Sequence, residues 1–238
     1  LKSTGQADNT VIVFMSDNGG IVRPDANGVP TISNNAPLTG EKALLYEGGI
    51  RVPLFVWYPE KLQPGVCDEP VVCNDIYPSI LQMAGQPLDV YQSYGDGNSL
   101  LPLLVDPTNA RGQYQRGALY WHYPYYVGVG LKHGDLTAPR SAIRKGDWKL
   151  ILDWDGSVEL YNIRSDISEK SELSSQEPER VAAMFKDLVA WINNTVESRY
   201  IPQSNSRYDP QHVQARPYQN IFETQSLKWP TGRSSRVD

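Results

Sequence analysis

Five consecutive apolar residues, Val11-Ile12-Val13-Phe14-Met15, run directly into Ser16-Asp17-Asn18-Gly19-Gly20, and this junction constrains the fold more than any other stretch. An apolar run without alternation reads as a strand buried on both faces, the pattern of a parallel sheet, and the polar glycine pair that closes it reads as a tight turn. In open α/β sheets ligands bind outside the carboxyl ends of the strands, which is where Asp17 and Asn18 then stand. A carboxylate beside an amide oxygen suits a hard cation such as Ca²⁺ or Mg²⁺ better than zinc. On composition alone the same residues are an ordinary turn, and two ligands alone do not make a site.

A second buried strand is expected over Val52 to Tyr58, directly after Gly48-Gly49, with Pro59 closing it. Asp75 precedes Ile76, Ile80, Leu81 and Met83, and Gly85 follows, the pattern of a short capped helix with a glycine stop. These elements give β, β, α with a parallel character. Beyond Arg116 the texture changes to short strand-like runs at Ala118 to Tyr123, Ser141 to Arg144, Trp148 to Leu152 and Val158 to Tyr161, with turns at Lys145-Gly146-Asp147 and Asp153 to Gly156. An antiparallel meander is expected there. Pro178 then opens a helical period through Val181, Met184, Phe185, Leu188 and Ile192, whose single apolar stripe belongs on the meander. The sequence thus divides into an α/β part over 1–110, an antiparallel sheet with its helix over 111–198, and an extended tail over 199–238.

The 22 basic and 27 acidic residues give a net charge of −5, and no Lys/Arg block stands out, so no nucleic-acid footprint is expected. With 40% hydrophobic and 21% charged residues among 238, and no apolar run long enough to cross a bilayer, the chain reads as globular and without a membrane span. A cationic pocket for an anionic substrate remains compatible with an acidic whole. The chain begins at Leu1 without a targeting signal. Cys67 and Cys73 are too few for a disulfide framework and fit no zinc spacing; two ordinary thiols are expected, with a disulfide around Pro70 as the alternative.

Glu47 and Arg51 stand four apart across two glycines, a spacing better suited to a buried structural pair than to an exposed helical one. Gly48 and Gly49 allow close backbone approach or positive φ. The run Trp121-His122-Tyr123-Pro124-Tyr125-Tyr126 fits a sugar-binding lip, in which His122 bonds a hydroxyl or carboxylate, and also a packed aromatic core, the commoner fate of aromatic side chains. His133 is a weaker candidate. Asn193-Asn194-Thr195 matches a glycosylation acceptor.

Several motifs carry a resemblance to a known family. Pro37-Leu38-Thr39-Gly40-Glu41-Lys42 and Tyr46-Glu47-Gly48-Gly49-Ile50-Arg51-Val52-Pro53 resemble hallmarks of the type I sulfatases, as does the strand ending in Asp17-Asn18-Gly19. Asn74 to Leu81, Ala142 to Leu150 and Glu159 to Asn162 follow in that family's order. The resemblance spans about Thr10 to Ile192. It implies the C-terminal part of an alkaline-phosphatase-like α/β sandwich plus a small antiparallel sheet packed by a C-terminal helix.

By that resemblance Asp17 and Asn18 are ligands of a Ca²⁺ site, with Mg²⁺ the lesser alternative, and Lys42 is the lysine that holds the substrate's sulfate. The physics agrees: as a sulfate ester cleaves, charge builds on the leaving oxygen, and a divalent cation with a lysine stabilises it. Without the resemblance, Lys42 is also compatible with a solvated lysine at a helix start. Glu47, Gly48, Gly49 and Arg51 are implied as scaffold. The family's nucleophile is a formylglycine made from a Cys/Ser-x-Pro-x-Arg motif, and neither Cys67 nor Cys73 fits it. The expectation is therefore the C-terminal portion of a sulfatase, inactive alone, whose N-terminal half is a partner and whose substrate is a sulfated small molecule or sugar. A metal-dependent phosphatase or phosphonate hydrolase of the same superfamily, and a catalytically dead carbohydrate-binding relative, are the alternatives. A periplasmic or secreted location is expected if the source is bacterial, and a lysosomal or secretory one if it is eukaryotic.

Overall fold

The computed structural model describes residues 1–22, 32–59, 61–89, 95–107, 114, 116–125, 139–154 and 156–203. The chain divides into two compact units, both discontinuous in sequence: Leu1–Ser16 with Pro53–Gly117, and Asp17–Val52 with Ala118–Asp238. Residues 17–52 group with the second unit, where Thr39, Tyr46 and Glu47 bond Ser168, Glu159 and Glu169.

In the first unit, β1 (Ile12–Met15) and β2 (Leu54–Trp57) form a two-stranded ladder in the register Phe14 to Phe55 and Ile12 to Trp57. The pairing is antiparallel, which corrects the expected parallel arrangement. Burial on both faces is also absent: Phe14 is 50% exposed, Phe55 is 55% exposed, and their rings stack at 4.9 Å. Helix α2 (Ile76–Met83) ends before Gly85, whose φ of 71° supplies the left-handed stop; it is followed by α3 (Leu101–Val105). Asp75, fully buried, accepts from the N–H of Val72 and of Asn98 at 2.8 Å each and from the Tyr114 hydroxyl at 2.9 Å, and pairs with Arg116. One carboxylate thus ties the start of α2 to the segments at Asn98 and at Tyr114 to Arg116, around a core of Leu100, Leu103 and Tyr114. Both cysteines are free thiols.

In the second unit, β3 (Leu119–Tyr123), β4 (Arg140–Lys145), β5 (Trp148–Asp153) and β6 (Val158–Asn162) pair antiparallel in sequence order, the expected meander. Gly146 and Gly156, at φ 59° and 106°, turn the chain between strands. The final helix, α4 (Pro178–Thr195), buries Val181, Met184, Phe185, Leu188 and Ile192. It packs them on Ile143, Leu150, Leu152, Val158 and Leu160 of one sheet face. The period-2 alternation of strands sends Ala142, Ile151 and Tyr161 to the other face, where Leu45, Tyr46 and Ile50 cover them. A short helical turn, α1 (Glu47–Ile50), therefore lies against the middle of the sheet. The expected extended tail falls mostly outside the described residues, as does His133. No helix among the described residues is long and apolar enough to cross a membrane.

Candidate functional site

Three short segments of the second unit interlock through their backbones. The N–H of Gly19 donates to the Gly49 carbonyl at 2.9 Å, that of Gly48 to Thr39 at 2.7 Å, and that of Lys42 to Gly20 at 3.4 Å. The glycines are required by contact distance. A Cβ on Gly19 would overlap the carbonyl of Gly48, one on Gly48 the carbonyls of Thr39 and Gly40, and one on Gly49 those of Glu41 and Leu44. The segment carrying Asp17 and Asn18 is thereby fixed to the one carrying Lys42.

The Asn35 amide bonds the carbonyls of Gly20 (2.8 Å) and Gly40 (3.1 Å), and the buried Glu41 carboxylate accepts from the Val22 N–H. Lys42 sits between two left-handed residues, Gly40 at φ 86° and Ala43 at φ 73°. Ala43 pays a steric penalty there that strain at functional positions commonly carries. Lys42 and Asp17 are exposed and Asn18 is half-buried.

Beneath α1 lies a buried charge cluster. Lys149 of β5 is 0% exposed and pairs with Glu47 Oε1 at 3.0 Å and Glu169 Oε1 at 2.8 Å. The other Glu169 oxygen accepts the Glu47 N–H at 2.6 Å. Arg51 and Arg144 approach Glu47 Oε2 at 3.5 and 3.7 Å. Burial pushes the Glu169 carboxyl above its usual range, opposed by the Lys149 ammonium. Arg51 is 43% exposed and lies one helical turn from Glu47. The expected buried pair is thus corrected: the buried partner of Glu47 is Lys149, and Arg51 reaches it from the rim.

The Sulfatase family model matches residues 1–86. A sulfatase of Formosa agariphila is 32% identical over 206 residues, covering 83% of this chain and 34% of its own length. The uncharacterized sulfatase YdeN of Escherichia coli is 40% identical over 228 residues, covering 86% and 38%. A crystal structure of Ps i-CgsB in complex with k-i-k-neocarrahexaose is similar at a TM-score of 0.63 and 26% identity, over 95% of this chain and 43% of that one. The chain belongs to the sulfatase family. It spans about a third of the length of the curated relatives it matches, and its fold is that of the alkaline-phosphatase-like α/β proteins.

Within this sulfatase chain the expected site residues fall into two places. Asp17, Asn18, Lys42, Glu47, Gly48 and Gly49 belong to the interlocked segments. His122 lies on the opposite face of the sheet, with Nδ1 2.8 Å from Ser141 Oγ, Nε2 2.8 Å from the Tyr200 carbonyl, and its ring edge-on to Trp154. A carbonyl only accepts, so Nε2 carries the proton; Ser141 Oγ, which accepts from Trp154 Nε1–H at 2.9 Å, donates to Nδ1. Burial lowers the imidazole pKa. A substrate contact by His122 would have to displace one of these bonds.

Sequence reasoning missed Lys149, Glu169 and a tyrosine pair. Tyr46 and Tyr161 both donate to the Glu159 carboxylate, at 2.7 to 2.9 Å, and Arg140 lies over the Tyr46 ring at 5.2 Å. Burial first, and Glu159 second, raise both phenols well above their usual range. Lys149 carried a signal in Trp148-Lys149-Leu150-Ile151-Leu152-Asp153: strand alternation sets a charged residue on a covered face, and such a residue needs a buried partner. Glu169, at φ 50°, carried none.

Proposed function

We propose that the intact protein hydrolyses sulfate esters, carbohydrate sulfates among them, and that this chain contributes Lys42 together with Asp17 and Asn18. The observation that carries the proposal is the glycine interlock, which holds the only lysine of the Pro37 to Lys42 motif against the turn bearing two hard oxygen donors. The oligosaccharide bound by Ps i-CgsB supports a carbohydrate substrate.

An exposed carboxylate beside an amide oxygen fits part of a Ca²⁺ site. Among the described residues no group of three or more His, Cys, Asp and Glu is placed to hold a metal ion; Asp17 and Asn18 would supply two oxygen donors of such a site. A bound cation would stabilise negative charge on the ester oxygens, and a formylglycine would supply the nucleophile. Lys42, on its flexible stem, neutralises a sulfate oxygen and meets charge as it develops on the leaving oxygen. The backbone bonds at Gly19 and Gly48 keep the two groups in register, so that little reorganisation is needed during reaction.

The test is sulfate release from an aryl sulfate and from sulfated oligosaccharides by the intact protein, with and without a chelator. Turnover that needs the cation and collapses in Lys42→Ala is expected. Turnover of phosphate esters in preference to sulfate esters would replace this reading with the phosphatase one.

A further inference from the structure

We propose that Lys149 is a positioning residue for the candidate site, acting through Glu47; the proposal rests on the sulfatase reading above. Lys149 is the one fully buried lysine of the described residues, and it meets α1 at Glu47, the residue that precedes Gly48 and Gly49. Its ammonium holds two carboxylates, and one of them, Glu169, uses its second oxygen on the Glu47 N–H. The next two residues are Gly48 and Gly49, whose N–H and C=O reach Thr39 and Gly19. A second strut runs parallel: the Thr39 hydroxyl donates to the Ser168 carbonyl at 2.5 Å, beside Glu169. Lys149 is therefore bonded, through one side chain and two peptide units, to the segments that carry Asp17 and Lys42.

A buried ammonium between two carboxylates is a poor source of net stability, because desolvation offsets most of the attraction. Its directional hydrogen bonds do fix geometry. Well-packed apolar side chains would hold α1 on the sheet as firmly, but they would not set its rotation or height. A displacement of about 1 Å at the interlock would be passed to Asp17 and Lys42, and displacements of that size cost on the order of 100-fold in turnover.

The experiment separates positioning from support. In the intact protein, Lys149→Met leaves two carboxylates facing one another, and the double variant Lys149→Met/Glu169→Gln removes that repulsion. The double variant is expected to regain most of the lost thermal stability while turnover stays at least about 10-fold below wild type, with KM changed less than about threefold. Wild-type turnover in a stably folded double variant would overturn the proposal. Amide exchange on peptides spanning 16–22 and 44–50 gives an arm that does not need activity. Faster exchange there with an unchanged rate in α4 is expected, and unchanged exchange at 44–50 would overturn it. If the double variant does not fold, the same exchange comparison on Glu169→Gln decides, because that variant keeps the Lys149–Glu47 pair and weakens the bond to the Glu47 N–H. Wild-type protein that releases no sulfate from any ester would count against the sulfatase reading, and the exchange arm would still judge the clamp.

Discussion

Gly19 donates its N–H to the carbonyl of Gly49 at 2.9 Å, and the Gly48 carbonyl occupies the space that a Cβ on Gly19 would need. Gly19 is cut back to let the helical turn approach, and Gly48 and Gly49 are cut back to let the backbone of Thr39 to Leu44 approach. Gly48→Ala should therefore destabilise the protein by about 1–3 kcal/mol through overpacking, and should lower turnover further than a surface change of equal stability cost. Denaturant unfolding with parallel rate measurements checks both. A silent Gly48→Ala would mean that the interlock yields without effect.

Lys42 is exposed, so its removal should leave folding untouched. Lys42→Ala in the intact protein should lose roughly 10²–10³-fold in turnover at an unchanged melting temperature, as loss of one charge partner of the transition state does. Steady-state kinetics beside a thermal melt gives the answer, and near-normal turnover would return Lys42 to the class of solvated lysines.

His122 makes the C-terminal segment at Tyr200 sensitive to acid. Its pKa is lowered by burial, so between that value and the ordinary 6.5 the unfolded chain binds the extra proton. The stabilisation from neutral His122 is therefore present above about pH 6.5 and is lost as pH falls through the folded-state value. Protonation also makes Nδ1 a donor, against a Ser141 Oγ that already accepts from Trp154. Thermal melts from pH 8 to pH 5 should fall more steeply for wild type than for His122→Gln, whose amide can still donate to the Tyr200 carbonyl. Equal slopes would remove His122 as the cause.

Phe14, Phe55 and Ile12 expose apolar surface on one face of the β1–β2 ladder. Expressed as these 238 residues, the chain should self-associate, and Phe14→Lys with Phe55→Glu, a cross-strand pair of opposite charge, should shift sedimentation toward the monomer. Persistence of the associated species in that double variant would move the interface to another surface.

The elements legible in the sequence are those with a clear period or clear ends. Val181 to Ile192 repeats at the helical period because one face of α4 meets the sheet, and β4 to β6 stand out as short runs between turns although both faces of the sheet are covered. The direction of β1 against β2 was not legible, since an unbroken apolar run such as Val11 to Met15 carries no polarity along its length. The site was half legible. Lys42, Asp17 and Asn18 stand in local motifs, whereas Lys149 and Glu169 meet Glu47 only through pairing of segments more than a hundred residues apart. Arg51 looked interior because glycines break helices in water; packing on Leu45, Ala142 and Ile151 supplies the turn that propensity denies.

That separation has a consequence for how the protein is made. Glu47 leaves the ribosome 102 residues ahead of Lys149 and 122 ahead of Glu169, and at roughly 5–20 residues per second its carboxylate waits some seconds to tens of seconds for its counterions. During that interval the whole stretch 53–117 is synthesised and free to organise around Asp75, while residues 17–52 have no sheet to lie on. Translation order thus makes the partners of Asp75 available to one another before the segment bearing Lys42 meets the sheet it lies on. Agents that slow elongation between codons 118 and 169 would lengthen the time in which a nascent chain offers that segment to chaperones and proteases.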